Sequence, residues 1–294
     1  MKQENKIQAC PLCDSEHQEK FLDVKDNMIT QEDFTIVACR DCGFRFTNPR
    51  PSQATIGSYY QDEKYVSHSS TKKGVVNWLY NQVRNVTLKQ KVKLLTERVE
   101  GRSLVDVGAG TGHFLAKAQQ SGFSVQGFEP DAIARKFAKE QNGLNLKDLS
   151  DLDNVDNASV DAITMWHVVE HLYELKPELL RIVSKLKTSG VFIMAVPNLE
   201  SYDAKVYGAG WAAYDVPRHL SHFSKKDVDK LAEALNMKCV EVLPMKFDAY
   251  YVSMLSERYK KGSLIKAFIN GWKSNSKSNL GGYSSQIYVL RFKN

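Results

Sequence analysis

Three constellations in this 294-residue sequence carry side chains that can do chemistry. The first is His167-Val-Val-Glu170-His171, inside "ITMWHVVEHL" (163–172). Two imidazoles and a carboxylate at this spacing are donor types that hold a divalent metal or move a proton near neutral pH. The second is a pair of cysteine pairs, Cys10-Pro-Leu-Cys13 and Cys39-Arg-Asp-Cys42, with 25 residues between them. The third is Gly108-Ala109-Gly110-Thr111-Gly112, with Asp106 two residues ahead of it and Glu129 21 residues beyond Gly108.

Two CxxC pairs on tight turns supply four thiolates to a tetrahedral zinc. Pro11 and Gly43 suit such turns, because one fixes a backbone angle and the other tolerates a left-handed one. The spacer "FLDVKDNMITQEDFTIVAC" reads as two short strands, so each pair sits at a hairpin end. A module of about 45 residues buries little apolar surface, and a metal replaces the missing core. Residues 1–48 are therefore expected to form a zinc-binding ribbon with Cys10, Cys13, Cys39 and Cys42 on a structural Zn2+. Four protein thiolates leave no open position, so this metal is not expected to catalyse. Free thiols or a disulfide are the plain alternative. Cys239 stands alone and reads as a small buried residue on a strand.

Around the glycines the pattern is strand, turn, helix. "SLVDV" is a short apolar run, the glycines follow, and "HFLAKAQQSG" is a helical pattern closed by Gly122. The next strand, "SVQGF", ends at Glu129, where an acid can accept both ribose hydroxyls of a nucleoside. A dinucleotide site wants a third glycine at the position His113 holds, and Asp106 would repel a pyrophosphate. The same acid suits a cationic ligand. S-adenosylmethionine (SAM), with a sulfonium, an ammonium and no phosphate, is such a ligand.

"LVDVGAGTGHFL" followed by "VQGFEPD" resembles motifs I and II of the class I SAM-dependent methyltransferases, over roughly residues 102–294. The resemblance implies an α/β, Rossmann-like, seven-stranded class I methyltransferase sheet with helices on both faces, here preceded by the small zinc ribbon. It implies cofactor contacts from Asp106, Gly108, Ala109, Gly110, Thr111, Gly112, Phe114, Glu129 and Pro130. Adenine would meet Asp148 and Leu149, and the cofactor would also touch Trp166 and His167. "LNLK" is expected as the third strand and "SQIYVLRF" as a last strand inserted antiparallel between the fifth and sixth. A helix is expected to start at Pro177, and a capping box at "SKKD" to start another at Ser224.

HxxEH is also the signature of inverted zinc peptidases. There it lies within a long helix. Here it follows directly on the buried run "VDAITMW", with room for only a short turn before Pro177. That is the loop over the carboxyl end of a strand, where open α/β sheets bind ligands. The segment instead resembles the E-x-x-E-H motif of the quinone-biosynthesis O-methyltransferases, with His167 in place of the first Glu. In that family these positions, with a later His, can hold a divalent metal, so a second metal at Glu170 and His171 is one expectation. Hydrogen bonding without metal is the other. His219, His171 and His167 are the candidate catalytic residues, with His219 first as a base. "WAAYDVPRHLSHFS" and the loop before it resemble a pocket wall, with Tyr202, Trp211, Arg218 and His222 as candidate substrate contacts.

Composition and charge bound the partners. At 43% hydrophobic and 25% charged, the chain suits one large domain plus a small module. The net charge of +6 is uneven: −2 over 1–60, +5 over 61–102, −4 over 103–222 and +7 over 223–294. An acidic middle disfavours a nucleic acid lying across it. Residues 49–101 read as a linker, containing Tyr65, and a helical cap from Trp78 to Val99, whose cations read as a solvated face. Residues 102–294 form the methyltransferase domain, with an amphipathic insertion near 246–280. "SERYKKGSLIKAFINGWKSNSKSN" mixes apolar residues with six cations and one acid, which suggests peripheral contact with anionic lipid. Cytoplasmic residence is expected, at the inner face of a membrane if that contact forms. The expected reaction is methyl transfer to a small-molecule acceptor, lipid-linked, quinone-like or glycan-related, at oxygen. The alternatives are a zinc-ribbon rRNA methyltransferase and a non-catalytic SAM-fold scaffold.

Overall fold

The computed structural model describes residues 4–60 and 75–293. Residues 61–74, with Tyr65, and the side chains of 75–81, with Trp78, lie outside the described residues. The chain runs β1 (Glu4–Asn5), β2 (Gln18–Lys25), β3 (Asp33–Cys39), β4 (Arg45–Thr47), β5 (Arg50–Pro51), α1 (Val75–Arg98), β6 (Ser103–Val107), α2 (His113–Gln120), β7 (Ser124–Phe128) and α3 (Ala132–Asn142). It continues through β8 (Val160–Trp166), α4 (Leu175–Val183), β9 (Leu186–Pro197), α5 (Tyr202–Tyr207), β10 (Ser221–His222), α6 (Lys225–Ala234), β11 (Met237–Pro244), α7 (Lys246–Tyr259), α8 (Leu264–Ser276) and β12 (Ser285–Phe292).

The main sheet has the order β11-β12-β9-β8-β6-β7. The pairs among β7, β6, β8 and β9 are parallel. β12 is antiparallel to both β9 and β11. The seven strands implied by the resemblance are six among the described residues. "LNLK" makes a single parallel bridge, Lys147 to Phe128. Asp148 then accepts a hydrogen bond from the Ser150 N–H and opens a 3-10 turn, which takes the chain out of the sheet. Pairing order reverses between β7 and β8, on either side of β6. The loops after β6 and β8 therefore flank one crevice at the carboxyl ends of the strands.

Local signals account for several helix ends. Ser224 and Asp227 form a full capping box on α6. Asp131 caps α3, and Gly143, at φ +65°, ends it. Pro177 sits in the first turn of α4, two residues inside its start, where a missing N–H is tolerated. Cys239 is half-buried on β11.

Apolar faces meet on both sides of the sheet. Val92 and Leu95 of α1, and Val99 just after it, pack with Leu115 of α2 against Leu104 and Ile193. On the other face, Leu179 of α4 and Leu231 of α6 cover Ile163 and Phe192. The N-terminal module joins this second layer. Cys10, Leu12, Phe44 and Phe46 belong to the same apolar cluster, and Phe44 packs 5.4 Å from Phe223. The ribbon sheet has the order β10-β4-β3-β2, so one of its strands comes from residues 221–222. The module is thus built into the large domain.

Candidate functional site

The glycine turn lies at the end of β6. Gly108 sits at φ +72°, and a Cβ there would meet Val168 Cγ2 at 2.3 Å. Only glycine lets the loop after β8 approach this closely. Gly110 sits at φ +53°, and the space a Cβ would enter is open. Its N–H donates to Glu129 Oε2 at 2.8 Å, while Glu129 Oε1 accepts from the Asp131 N–H at 2.9 Å. The acid at the tip of β7 is thereby held against the turn, and burial raises its pKa. Asp106 is buried and accepts from Thr164 Oγ1 at 2.5 Å. Burial pushes it up to about 7, against the Thr164 hydrogen bond. Asn142 Nδ2 donates to Thr111 O, which pins the turn from α3. Ala109 packs beside the apolar layer under α2. Phe114 meets Trp166 edge to face at 5.3 Å, and Trp166 Nε1 is buried without a hydrogen-bond partner.

Asp148 and Leu149 follow the Lys147–Phe128 bridge and differ in setting. The Asp148 carboxylate accepts from Ser150 and from Arg135 Nη1 at 2.9 Å, and Arg135 also bonds the carbonyls of Glu129 and Pro130. Leu149 is partly buried against the second apolar layer.

Across the crevice, His167 takes a left-handed backbone, φ +57°. Its N–H donates to Ala195 O. Its ring bridges two carboxylates: Nδ1 is 3.2 Å from Glu170 Oε1 and Nε2 is 3.1 Å from Asp248 Oδ2. Burial alone would lower its pKa, but these two hydrogen bonds win and raise it to about 10. The same pairing outweighs burial at Glu170 and lowers that carboxyl to about 2.

Glu170, His171 and His219 converge, with ligand atoms within 4.8 Å of one another. Two backbone carbonyls set the tautomers. His171 Nδ1 donates to Arg218 O at 3.0 Å, and His219 Nδ1 to Ala213 O at 2.9 Å. A carbonyl only accepts, so each Nδ1 carries the proton and each Nε2 keeps its lone pair. Tyr60 OH lies 3.2 Å from the same His171 nitrogen. Burial, then repulsion from the His219 ring whenever that ring is protonated, lower His171 to about 4, so it is neutral at pH 7. Glu170 is fully buried, yet its Oε2 has no hydrogen-bond partner among the described residues.

The remaining candidates are held elsewhere. Arg218, 1% exposed, donates to Asp215, to Asp26 of the ribbon and to Tyr59 O. Trp211 Nε1 donates to Asp203, a buried carboxylate that also accepts from Ser274 and Ser284. His222 Nε2 lies 3.0 Å from Thr47 Oγ1, across the β4–β10 pair. Tyr202 is half-buried under Lys277. Arg218, Trp211 and His222 thus join elements of the fold. Asp248 and Lys91 were not anticipated. Lys91 lies 4.1 Å over the Trp166 ring. Its position carried a signal, because it falls between Leu88, Val92 and Leu95 on the apolar stripe of α1.

The four cysteines form the other polar cluster. Cys10 and Cys42 Sγ are 3.7 Å apart, Cys13 and Cys39 3.5 Å, and all four lie within 4.8 Å. A disulfide needs about 2.05 Å. Ligands about 2.3 Å from a tetrahedral zinc stand roughly 3.8 Å apart, so the cluster has zinc dimensions.

A doubly wound sheet with a glycine turn and a strand-tip acid at its reversal point defines a nucleoside-binding α/β protein of the class I methyltransferase type. A model of the methyltransferase domain family matches residues 80–242, more than half of the chain. The chain belongs to that family of SAM-dependent methyltransferases. A ubiquinone biosynthesis O-methyltransferase from Paramagnetospirillum magneticum is 30% identical over 134 residues, 43% of this chain and 53% of that protein. The chain thus matches about half the length of this curated relative. Among solved structures, magnesium protoporphyrin IX methyltransferase from Synechocystis PCC 6803 with bound S-adenosylhomocysteine (SAH) aligns with TM-score 0.54 and 13% identity, over 82% of this chain and 100% of that one. Geranyl diphosphate C-methyltransferase from Streptomyces coelicolor A3(2), in complex with Mg2+, geranyl diphosphate and SAH, aligns with TM-score 0.50 and 16% identity, over 70% and 80%. Both likenesses show the fold.

Proposed function

We propose that this protein transfers a methyl group from SAM to a hydroxyl of a small amphipathic acceptor. The observation that carries the oxygen reading is the paired Nε2 lone pairs of His171 and His219 beside the unpartnered Glu170 Oε2. A hydroxyl acceptor must lose a proton as it is methylated, whereas a neutral amine attacks through its own lone pair. The match to a ubiquinone biosynthesis O-methyltransferase supports the same reading.

The residues fit SAM. Space is open over Gly110, Glu129 at the tip of β7 would accept the ribose hydroxyls, and Asp106 would supply the acid for a cationic tail. Bound there, SAM supplies a methyl carbon activated by a sulfonium. The acceptor oxygen forms the O–CH3 bond as the S–CH3 bond breaks, and the hydroxyl proton passes to His219 or His171, directly or through the His167–Glu170 contacts. The chain otherwise contributes alignment and exclusion of water, the main needs of an in-line displacement. Glu170, His171 and His219 also fit a divalent metal, which would acidify a bound hydroxyl. Two imidazoles and one carboxylate favour zinc, manganese or iron over magnesium. Cys10, Cys13, Cys39 and Cys42 are proposed to hold a structural zinc.

The α7–α8 hairpin supports peripheral contact with anionic lipid. Leu264, Ile265, Phe268 and Trp272 are each more than half exposed, with Lys266 and Lys273 on the same helix. No described helix is long and apolar enough to cross a membrane. Binding to phosphatidylglycerol vesicles but not to phosphatidylcholine vesicles would bear this out.

The decisive experiment supplies SAM labelled at the methyl carbon with a panel of phenols, catechols and total RNA. Label recovered as an aryl methyl ether supports the proposal. Label recovered only in RNA, or on carbon or nitrogen, overturns it.

A further inference from the structure

A cleft of about 720 Å³ opens between α1, the end of β11 and the α7–α8 hairpin. It lies beyond β8 from the glycine turn, toward the β12–β11 edge of the sheet. Its walls are mostly apolar: Leu94 of α1, Met245 and Tyr250 of the α7 segment, Trp272 of α8 and Ile287 of β12. Three charged residues interrupt them, Lys91, Lys246 and Asp248. Asp248 bonds His167 Nε2, so one imidazole ring separates the cleft from Glu170, His171 and His219. Lys91 lies over Trp166, the last residue of β8, and feels the Asp248 and Asp106 carboxylates, with no direct hydrogen bond or ion pair among the described residues. The cleft is therefore apolar for most of its length and carries a cation in no direct ion pair where it meets the crevice. Its outer wall, Trp272, belongs to the exposed apolar face of α8.

We propose that this cleft is the acceptor site, taking a molecule with an extended apolar body and an acidic hydroxyl, with Lys91 as the residue that receives the hydroxyl oxygen. This rests on the methyltransferase reading above. The size suits a small molecule, since ligand pockets span about 300–1,000 Å³ and place few polar groups on mostly apolar walls. The cation matches the negative charge that gathers on a hydroxyl oxygen as it loses its proton. Burial lowers Lys91 to about 8, so most of its population is still charged at pH 7. Aromatic support from Trp166 holds the ammonium in place without neutralising it.

The test uses the full chain with SAH, and 4-nonylphenol and 4-nonylanisole as probes, in calorimetric titrations. One molecule of nonylphenol is expected per chain. Met245→Trp, which fills the cleft, is expected to weaken it at least tenfold. Lys91→Met is expected to weaken nonylphenol about tenfold and to leave nonylanisole within twofold, because the ether has no acidic hydroxyl. SAH affinity should stay within twofold in both variants, which also shows that they fold. Undiminished nonylphenol binding by Met245→Trp would place the probe elsewhere, on the open face of α8, and sink the proposal alone. So would a fall in SAH affinity in Lys91→Met, which would assign that cation to the cofactor. A wild-type chain that binds no SAH would instead sink the methyltransferase reading beneath it.

Discussion

Among the described residues the chain holds two clusters of metal-ligand side chains, and they differ in closure. The cysteine cluster brings four thiols together from two turns, Cys10–Cys13 and Cys39–Cys42. Every position of a tetrahedral ion is taken, so such a site holds structure. The cluster of Glu170, His171 and His219 has three donors, and Glu170 Oε2 lacks a partner. It leaves room for something else, a metal with an open position or a substrate proton. The first is local, since its members lie within 33 residues. The second depends on the first region being folded. His219 and Glu170 are joined through the Leu220 N–H to Glu170 O bond, and Leu220 O in turn accepts from the Thr47 N–H of the ribbon. The closed cluster thus braces the open one.

The strongest test of that dependence removes the closed cluster. Cys39→Ser with Cys42→Ser is expected to abolish bound zinc and to cost more than about 4 kcal/mol of stability. Calorimetric unfolding with metal analysis measures it, and an unchanged midpoint would separate the two regions. Next in size is Arg218→Met, which leaves the buried Asp26 and the half-buried Asp215 without their cation. Breaking a buried pair costs about 3–5 kcal/mol, readable by urea titration. Glu170→Gln keeps the shape of the open cluster and removes its charge. Mn2+ or Zn2+ uptake beyond the ion proposed for the cysteines is expected to weaken more than tenfold, and undiminished uptake would assign that cluster to proton transfer alone.

The mildest test is pH. Burial, then the His219 charge, lower His222 to about 3, well below the value for an unfolded chain, about 6.5. Between those values the unfolded chain binds more protons, so stability is complete above about pH 6.5 and declines as pH falls toward 3. His222 sits on the β4–β10 joint, so His222→Gln should flatten that slope in thermal melts. An unaltered slope would assign acid sensitivity to other groups.

Much of the fold was legible because its signals are short-range. Strand, glycine turn and helix lie within 103–120, and the capping box spans four residues. "LNLK" misled because the residue just beyond a strand helps set its length: Asp148 caps a turn and ends the pairing after one bridge. Lys91 read as solvated because the cap helix is rich in cations, yet it is seated over Trp166. Asp248 carries no motif at all. It reaches His167 only because the hairpin after β11 folds back across β8.

The sequence by itself determined the class of sheet, the glycine turn with its acid, and a four-cysteine ribbon. Each rests on backbone geometry or ligand spacing within a short span, where residue type decides the outcome. Tertiary structure alone decided that β10 completes the ribbon sheet and that Arg218 ties ribbon to domain. It also decided that His167 lies between Glu170 and Asp248. These are contacts between residues up to 192 positions apart, set by which apolar faces pack together, and no local pattern encodes them.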